Sequence, residues 1–278
     1  MPSSTTSTAI PSRLSPVPID RAIRAEWTKL RTLAGTWWLM LGAVALAVAA
    51  SAATTASTHV SPGGPGGAGQ DPTKLSLIGI DLGQAVVAVL AILAVTEEYG
   101  TGMIRVTLAA IPHRGVMLAA KAVNIAGLAL LAGVPAVAGC LIAGRLLLPA
   151  AGLGPTHGYA LVSIGHGPTL RAAFGSVLYL GLIALLSLGI GAVLRDTAVS
   201  TGIVLGLLYL PPLLAQLVSG PWRRHIQQIA PMTAGVAIQA TRNIRSLPIS
   251  PWAGLGVLAG WAAATLPVGL AVLKARDA

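Results

Sequence analysis

Six uninterrupted apolar runs, at 36–56, 77–95, 116–148, 172–194, 198–218 and 252–273, dominate this sequence and leave few folds open to it. Crossing a bilayer core of about 30 Å takes roughly 20 helical residues, and each run is near or above that length. The runs are continuous and do not alternate apolar with polar residues, which argues against a transmembrane barrel. Helices are then how the backbone satisfies its own hydrogen bonds in lipid. With 54% hydrophobic and 9% charged residues, the chain lies outside soluble composition, in which about a quarter of residues are charged. The reading is an all-α membrane protein with six transmembrane helices. The third run is overlong, so tilt, a kink near Pro135 or a stretch outside the membrane is expected.

The net charge of +10 is spread over the loops between these runs and is not gathered on one soluble face, which points to membrane orientation and away from nucleic acid. Six spans put both termini on one side. Taking that side as the cytoplasm places eleven basic residues inside, among them Arg21, Arg24, Lys29, Arg31, Arg105, Arg114 and Lys121, against seven outside. Fourteen arginines to four lysines, with heavy use of alanine and glycine, suit a GC-rich bacterial genome and hence a multi-pass protein of the bacterial cytoplasmic (inner) membrane.

Residues 1–18 are rich in Ser, Thr and Pro and lack an apolar core, so a disordered tail is expected there and no cleavable signal. From 19 to 33, Ile19, Ile23, Trp27 and Leu30 recur at steps of three or four, with Arg21, Arg24, Lys29 and Arg31 mostly opposite. That spacing predicts an amphipathic helix along the cytoplasmic surface. Trp37, Trp38, Trp222 and Trp252 stand at span ends, where indoles anchor at headgroup level. The first outer segment, 57–73, is rich in Gly and Pro and reads as a flexible linker, and the second, 149–168, is also short and Gly-rich. The last outer segment contains two helix-length stretches split by Pro231, with Arg223, Arg224, Arg242 and Arg245 at their ends. These four are candidates for an outer gate that favours release of anionic cargo.

Several chemistries lack their residues. There is no G-x-x-x-x-G-K-[ST] phosphate loop, so any ATP is handled by another chain. The five histidines are scattered with no pair at metal-ligand spacing, and the lone Cys140 has no disulfide partner within the chain. Glu97 and Glu98 bring to mind membrane proteases with paired glutamates, but Gly102 stands where such a motif needs arginine. No catalytic, cofactor or metal residues are assigned. Asp81 is the only carboxylate clearly inside a span, near its outer end, and is a possible pathway residue.

The connector between the second and third runs carries the strongest signal, EEYGTGMIRVTLAAIPHRGVMLAAK at 97–121. Gly100 and Gly102 interrupt the helix, and the stretch from Met103 to Ile111 has room for about two further turns before Pro112 stops them. Ile104, Leu108 and Ile111 then share one face. A short amphipathic rod between two spans suits a peg for a socket, and Glu98 and Arg105 are placed to pair where the chain leaves the lipid.

Glu98, Tyr99, Thr101, Gly102, Met103, Ile104, Arg105, Thr107, Leu108, Pro112 and Arg114, closing with Ala119, Ala120 and Lys121, resemble the connector of ABC-2 type transporter permeases, the membrane subunits of bacterial ATP-binding cassette exporters. RAEWTKLRT from Arg24, the run of Ala230, Pro231, Ala234 and Gly235, SPWAG from Ser250, and the tail KARDA from Lys274 are similar to further parts of that family. His113 departs from it, standing where a basic residue is commoner. The resemblance implies a single transmembrane domain over 19–278, with two such subunits, identical or related, bound to two separate ATPase chains that hold ATP and magnesium. It makes 101–114 a coupling helix seated on the ATPase, with Glu98, Thr101, Gly102, Ile104, Arg105, Leu108, Pro112 and Arg114 as coupling residues. It makes 19–33 the connecting helix, carried by Ile23, Glu26, Trp27, Lys29 and Arg31. The alternatives are an ATP-independent carrier or channel, disfavoured by the scarcity of charges within the spans, and an intramembrane hydrolase.

Overall fold

A computed structural model describes residues 19–58, 70–103, 113–153, 162–163 and 165–276. The N-terminal tail, most of the Gly-rich outer segments, and Ile104, Arg105, Leu108 and Pro112 of the connector lie outside the described residues. Every regular element described is helical.

Helix α1 (Ile19–Thr32) leads across Leu33 into α2 (Ala34–Ser57). A five-residue helix, α3 (Pro72–Ser76), turns into α4 (Ile80–Gly100). Then follow α5 (Arg114–Leu147), α6 (Gly167–Leu194) and α7 (Thr197–Leu217). Short helices α8 (Pro221–Ile229) and α9 (Pro231–Val236) and two 3-10 turns precede α10 (Pro251–Arg276). Six of these, α2, α4, α5, α6, α7 and α10, are long and apolar enough to cross a membrane.

The boundaries depart from the apolar runs in instructive ways. The second run begins helically at Ile80 and not at Leu77, because Asp71 caps α3 through Lys74 N and the chain turns at 77–79. At its other end α4 continues past the apolar residues to Gly100, taking Glu97 and Glu98 into regular helix. Pro135 lies inside α5, whose 34 residues reach about 51 Å at 1.5 Å per residue, longer than a bilayer core. The last outer segment holds the two short helices expected on either side of Pro231, but the second ends at Val236 and continues as 3-10 turns.

Helix α6 lies at the centre and packs on α4, α5, α7 and α10, while α2 packs on α4 and α5. The core runs through this contact zone in residues such as Ile92, Ile125, Ile183, Leu186 and Leu258. By contrast α7 buries only Ser200, Val204, Leu208 and Ala215, leaving Ile203, Leu210, Leu213 and Leu217 exposed. In water such a surface would be unfavourable. It fits lipid, which is as apolar as the side chains.

Polar atoms inside the bundle are bonded across helices. Ser51 of α2 donates to Ser76 O at 2.7 Å and accepts from Gly79 N at 3.0 Å, pinning the turn between α3 and α4. Fully buried Tyr179 of α6 donates to Gln84 of α4, and Tyr209 of α7 donates to the Asp81 carbonyl.

Candidate coupling site at the connector end of the bundle

Glu98 sits in the last turn of α4 and Lys121 in the second turn of α5, on neighbouring helices that flank the connector. Both side chains are 2% exposed. Lys121 Nζ donates to Glu98 Oε1 at 2.7 Å, to Glu26 Oε2 of α1 at 2.9 Å, and to the Ala94 carbonyl at 3.3 Å. An ammonium has three N–H donors, and all three are used. Lys29 of α1, one-third exposed, also donates to Glu98 Oε1. The four side chains sum to zero charge, as a buried cluster requires when desolvation of any lone ion is costly. One turn further along α5, Asn124 donates to the Ile23 carbonyl at 2.9 Å, adding a neutral bond between the same two helices.

The cluster sets the rotation of α1. The face against the bundle is Ala22, Glu26 and Leu30 with Ile23 beside it, whereas Ile19 is 51% and Trp27 37% exposed. Burying Glu26 against Lys121 turns Ile19 and Trp27 outward. Arg31 is exposed as well, its carbonyl accepting from Trp37 Nε1 at 3.0 Å. Glu98, expected opposite Arg105, has Lys121 and Lys29 on its Oε1, and Arg105 lies outside the described residues.

The other root of the connector is tied down separately. Arg114, the first residue of α5, donates to the carbonyls of Leu273 at 2.6 Å and Lys274 at 3.1 Å, at the end of α10. Between the two roots the described residues are open: Thr101, Gly102 and Met103 are exposed, and Gly102 takes a φ of +71° as the helix unwinds. Arg195 lies over the Tyr99 ring at 4.8 Å and donates to the Val272 carbonyl at 3.2 Å, while Thr197 bonds Thr96 at 2.7 Å. At this end α1, α4, α5, α6, α7 and α10 are therefore joined by polar contacts around the base of the connector.

The opposite end holds the remaining candidates. Arg223 and Arg224 are exposed on α8, and Arg245 is exposed on the second 3-10 turn. Arg242 donates to the Gln70 carbonyl at 3.4 Å, and its backbone N–H donates to Asp71 at 2.9 Å. Asp71 also accepts from the backbone and hydroxyl of Thr241, the latter at 2.6 Å, and Arg171 donates to the Ala240 carbonyl. This clamp was not singled out in the sequence, where Asp71 reads as part of a linker. Asp81 lies in the first turn of α4, beside a cavity between α3, α7 and α9.

No protein-family model and no curated protein matches this sequence. The fold and the contacts therefore define a class and no more: an all-helical bundle with six helices able to span a membrane.

Proposed function

We propose that this chain is the membrane subunit of an ATP-binding cassette exporter of the ABC-2 type, seated in a bacterial cytoplasmic membrane with α1 and the connector on the cytoplasmic face. It pairs with a second permease, identical or related, and with two ATPase chains that carry ATP and magnesium. The observation that carries this reading is the buried Glu26, Lys29, Glu98 and Lys121 cluster. It fastens a peripheral helix to the two long helices that flank the connector. The connector sequence resembles a coupling helix, and a rigid seat is what such a peg needs.

Force applied to 101–113 has two outlets. Through Glu98 and Lys121 it reaches α4, α5 and α1, and through Arg114 it reaches the end of α10. An ATPase that holds the connector differently with and without ATP would thereby bias the bundle between two arrangements, since only differential contact shifts a conformational equilibrium. The test is to purify the chain with a candidate ATPase and measure hydrolysis. Activity that depends on both chains, and loses its dependence on the membrane subunit in Glu98→Gln, is expected. Full-rate transport by the isolated chain would overturn the proposal.

A further inference from the structure

Helix α8 turns its polar side to the protein and its apolar side away. None of its residues is buried. Gln227 and Gln228 are half-buried, and Gln228 Nε2 donates to the Pro248 carbonyl at 2.7 Å, so this side rests on the bundle. Trp222 and Ile229, seven residues apart and therefore together on the opposite side of the helix, are 71% and 60% exposed. The adjoining end of α7 exposes Leu213, Leu214 and Leu217 as well. The depth of α8 follows from its last residue, whose carbonyl accepts from Trp261 Nε1 at 2.9 Å. Trp261 stands about 15 Å into α10, whose 26 residues reach about 39 Å. A bilayer core is about 30 Å thick, so even with the whole surplus of about 9 Å at this end, Trp261 falls within the core and holds the end of α8 near its boundary.

Charge selects the lipid. From Thr197 to Arg276 the sequence contains no Asp or Glu. The side chains of Arg223, Arg224 and Arg245 are exposed and make no hydrogen bond or ion pair among the described residues. Asp71, at the same end, is already bonded to Thr241, Arg242 and the Lys74 backbone. We propose that α8 is an interfacial helix that binds anionic phospholipid. Trp222 and Ile229 enter the acyl boundary, and Arg223 and Arg224, next to the indole, hold headgroup phosphates. An acidic protein segment would match the arginines, but it would leave the outward apolar side and the depth at Trp261 without a reason.

The inference rests on the membrane reading alone and needs no ATPase. An NBD fluorophore is attached to His225→Cys, beside the arginines, in a Cys140→Ala background. The full chain is reconstituted in phosphatidylcholine nanodiscs containing doxyl-labelled phosphatidylglycerol or, separately, doxyl-labelled phosphatidylcholine. Quenching should report a local enrichment of the glycerol lipid of about fivefold, the scale of one basic side chain at an anionic surface. The enrichment should fade with salt, because the Debye length shrinks from about 10 Å at 0.1 M to about 3 Å at 1 M. Arg223→Gln with Arg224→Gln should remove most of it, and the paired Lys substitutions should keep it, since either cation binds phosphate. The same label on Leu213→Cys of α7 should be quenched by both lipids. Quenching at Leu213 with none at His225, equal quenching at His225 by the two lipids, or a preference untouched by the paired Gln substitutions would overturn the proposal. No quenching at either position would overturn the membrane reading itself.

Discussion

Lys121 of α5 and Glu98 of α4 meet at 2.7 Å with both side chains withdrawn from solvent, and the same ammonium reaches Glu26 of α1 at 2.9 Å. One lysine thus holds together three helices that share no covalent neighbourhood. Removing it leaves buried Glu26 without a cation and Glu98 with only the one-third exposed Lys29. Lys121→Met should destabilise the protein by about 3–5 kcal/mol, the usual consequence of breaking a buried pair from one side. Thermal unfolding in detergent reads this, and hydrogen exchange should rise first in α1. The triple variant Glu26→Gln, Glu98→Gln, Lys121→Met should recover part of the loss. Equal stability of Lys121→Met and the parent would refute the role given to the cluster.

Lys29 shares the Glu98 oxygen but is one-third exposed, so water screens it and replaces it when it is removed. Lys29→Ala should therefore cost no more than about 1 kcal/mol, well below Lys121→Met. If the two substitutions proved equally damaging, burial would not be what separates them, and the ranking of the two lysines would have to be abandoned.

The six long apolar helices and the helix break before Gly102 are legible in the sequence, because apolar length and glycine act locally. Partners across the bundle are not. Lys121, 23 residues from Glu98, holds it because α4 packs on α5, whereas Arg105, seven residues away, lies outside the described residues. The signal available was weak: a lysine that close to an apolar run needs an acid somewhere. The side of α1 that packs on the bundle is a further case. Apolar periodicity groups Ile19, Ile23, Trp27 and Leu30, and the ion pair at Glu26 selects Ile23 and Leu30 from that group for the bundle. Asp71 sat in a stretch that composition marks as linker, and its three contacts to 241–242 are 170 residues distant.

Asp71 ties the start of α3 to the segment after α9, accepting from Thr241 twice and from Arg242 once. In Asp71→Ala those donors lose their acceptor, at about 1–3 kcal/mol. The effect should be local. Cysteine placed at Asn243, an exposed position, should react faster with a polar maleimide in the Asp71→Ala background, with the spans unchanged by circular dichroism. An unaltered labelling rate would mean that Arg171 on the Ala240 carbonyl and Arg242 on the Gln70 carbonyl hold the loop without Asp71.

Where α9 meets α10 the backbones approach too closely for a side chain. A Cβ on Gly254 would collide with the Ala234 carbonyl, whereas one on Gly256, two residues later on the same helix, would meet nothing within 4 Å. Close-packed interiors do not absorb such a collision without moving backbone, at about 1–3 kcal/mol or more. Gly254→Ala should lower the unfolding midpoint and loosen α9, which also rests its Gly235 on the buried Tyr179 ring. Gly256→Ala should be neutral or slightly stabilising, since alanine is the better helix former by about 0.8–1.0 kcal/mol. The two variants have the same composition and the same helix propensity change, so any difference between them isolates the contact with Ala234. Matching midpoints would show that α9 does not seat on α10 as described.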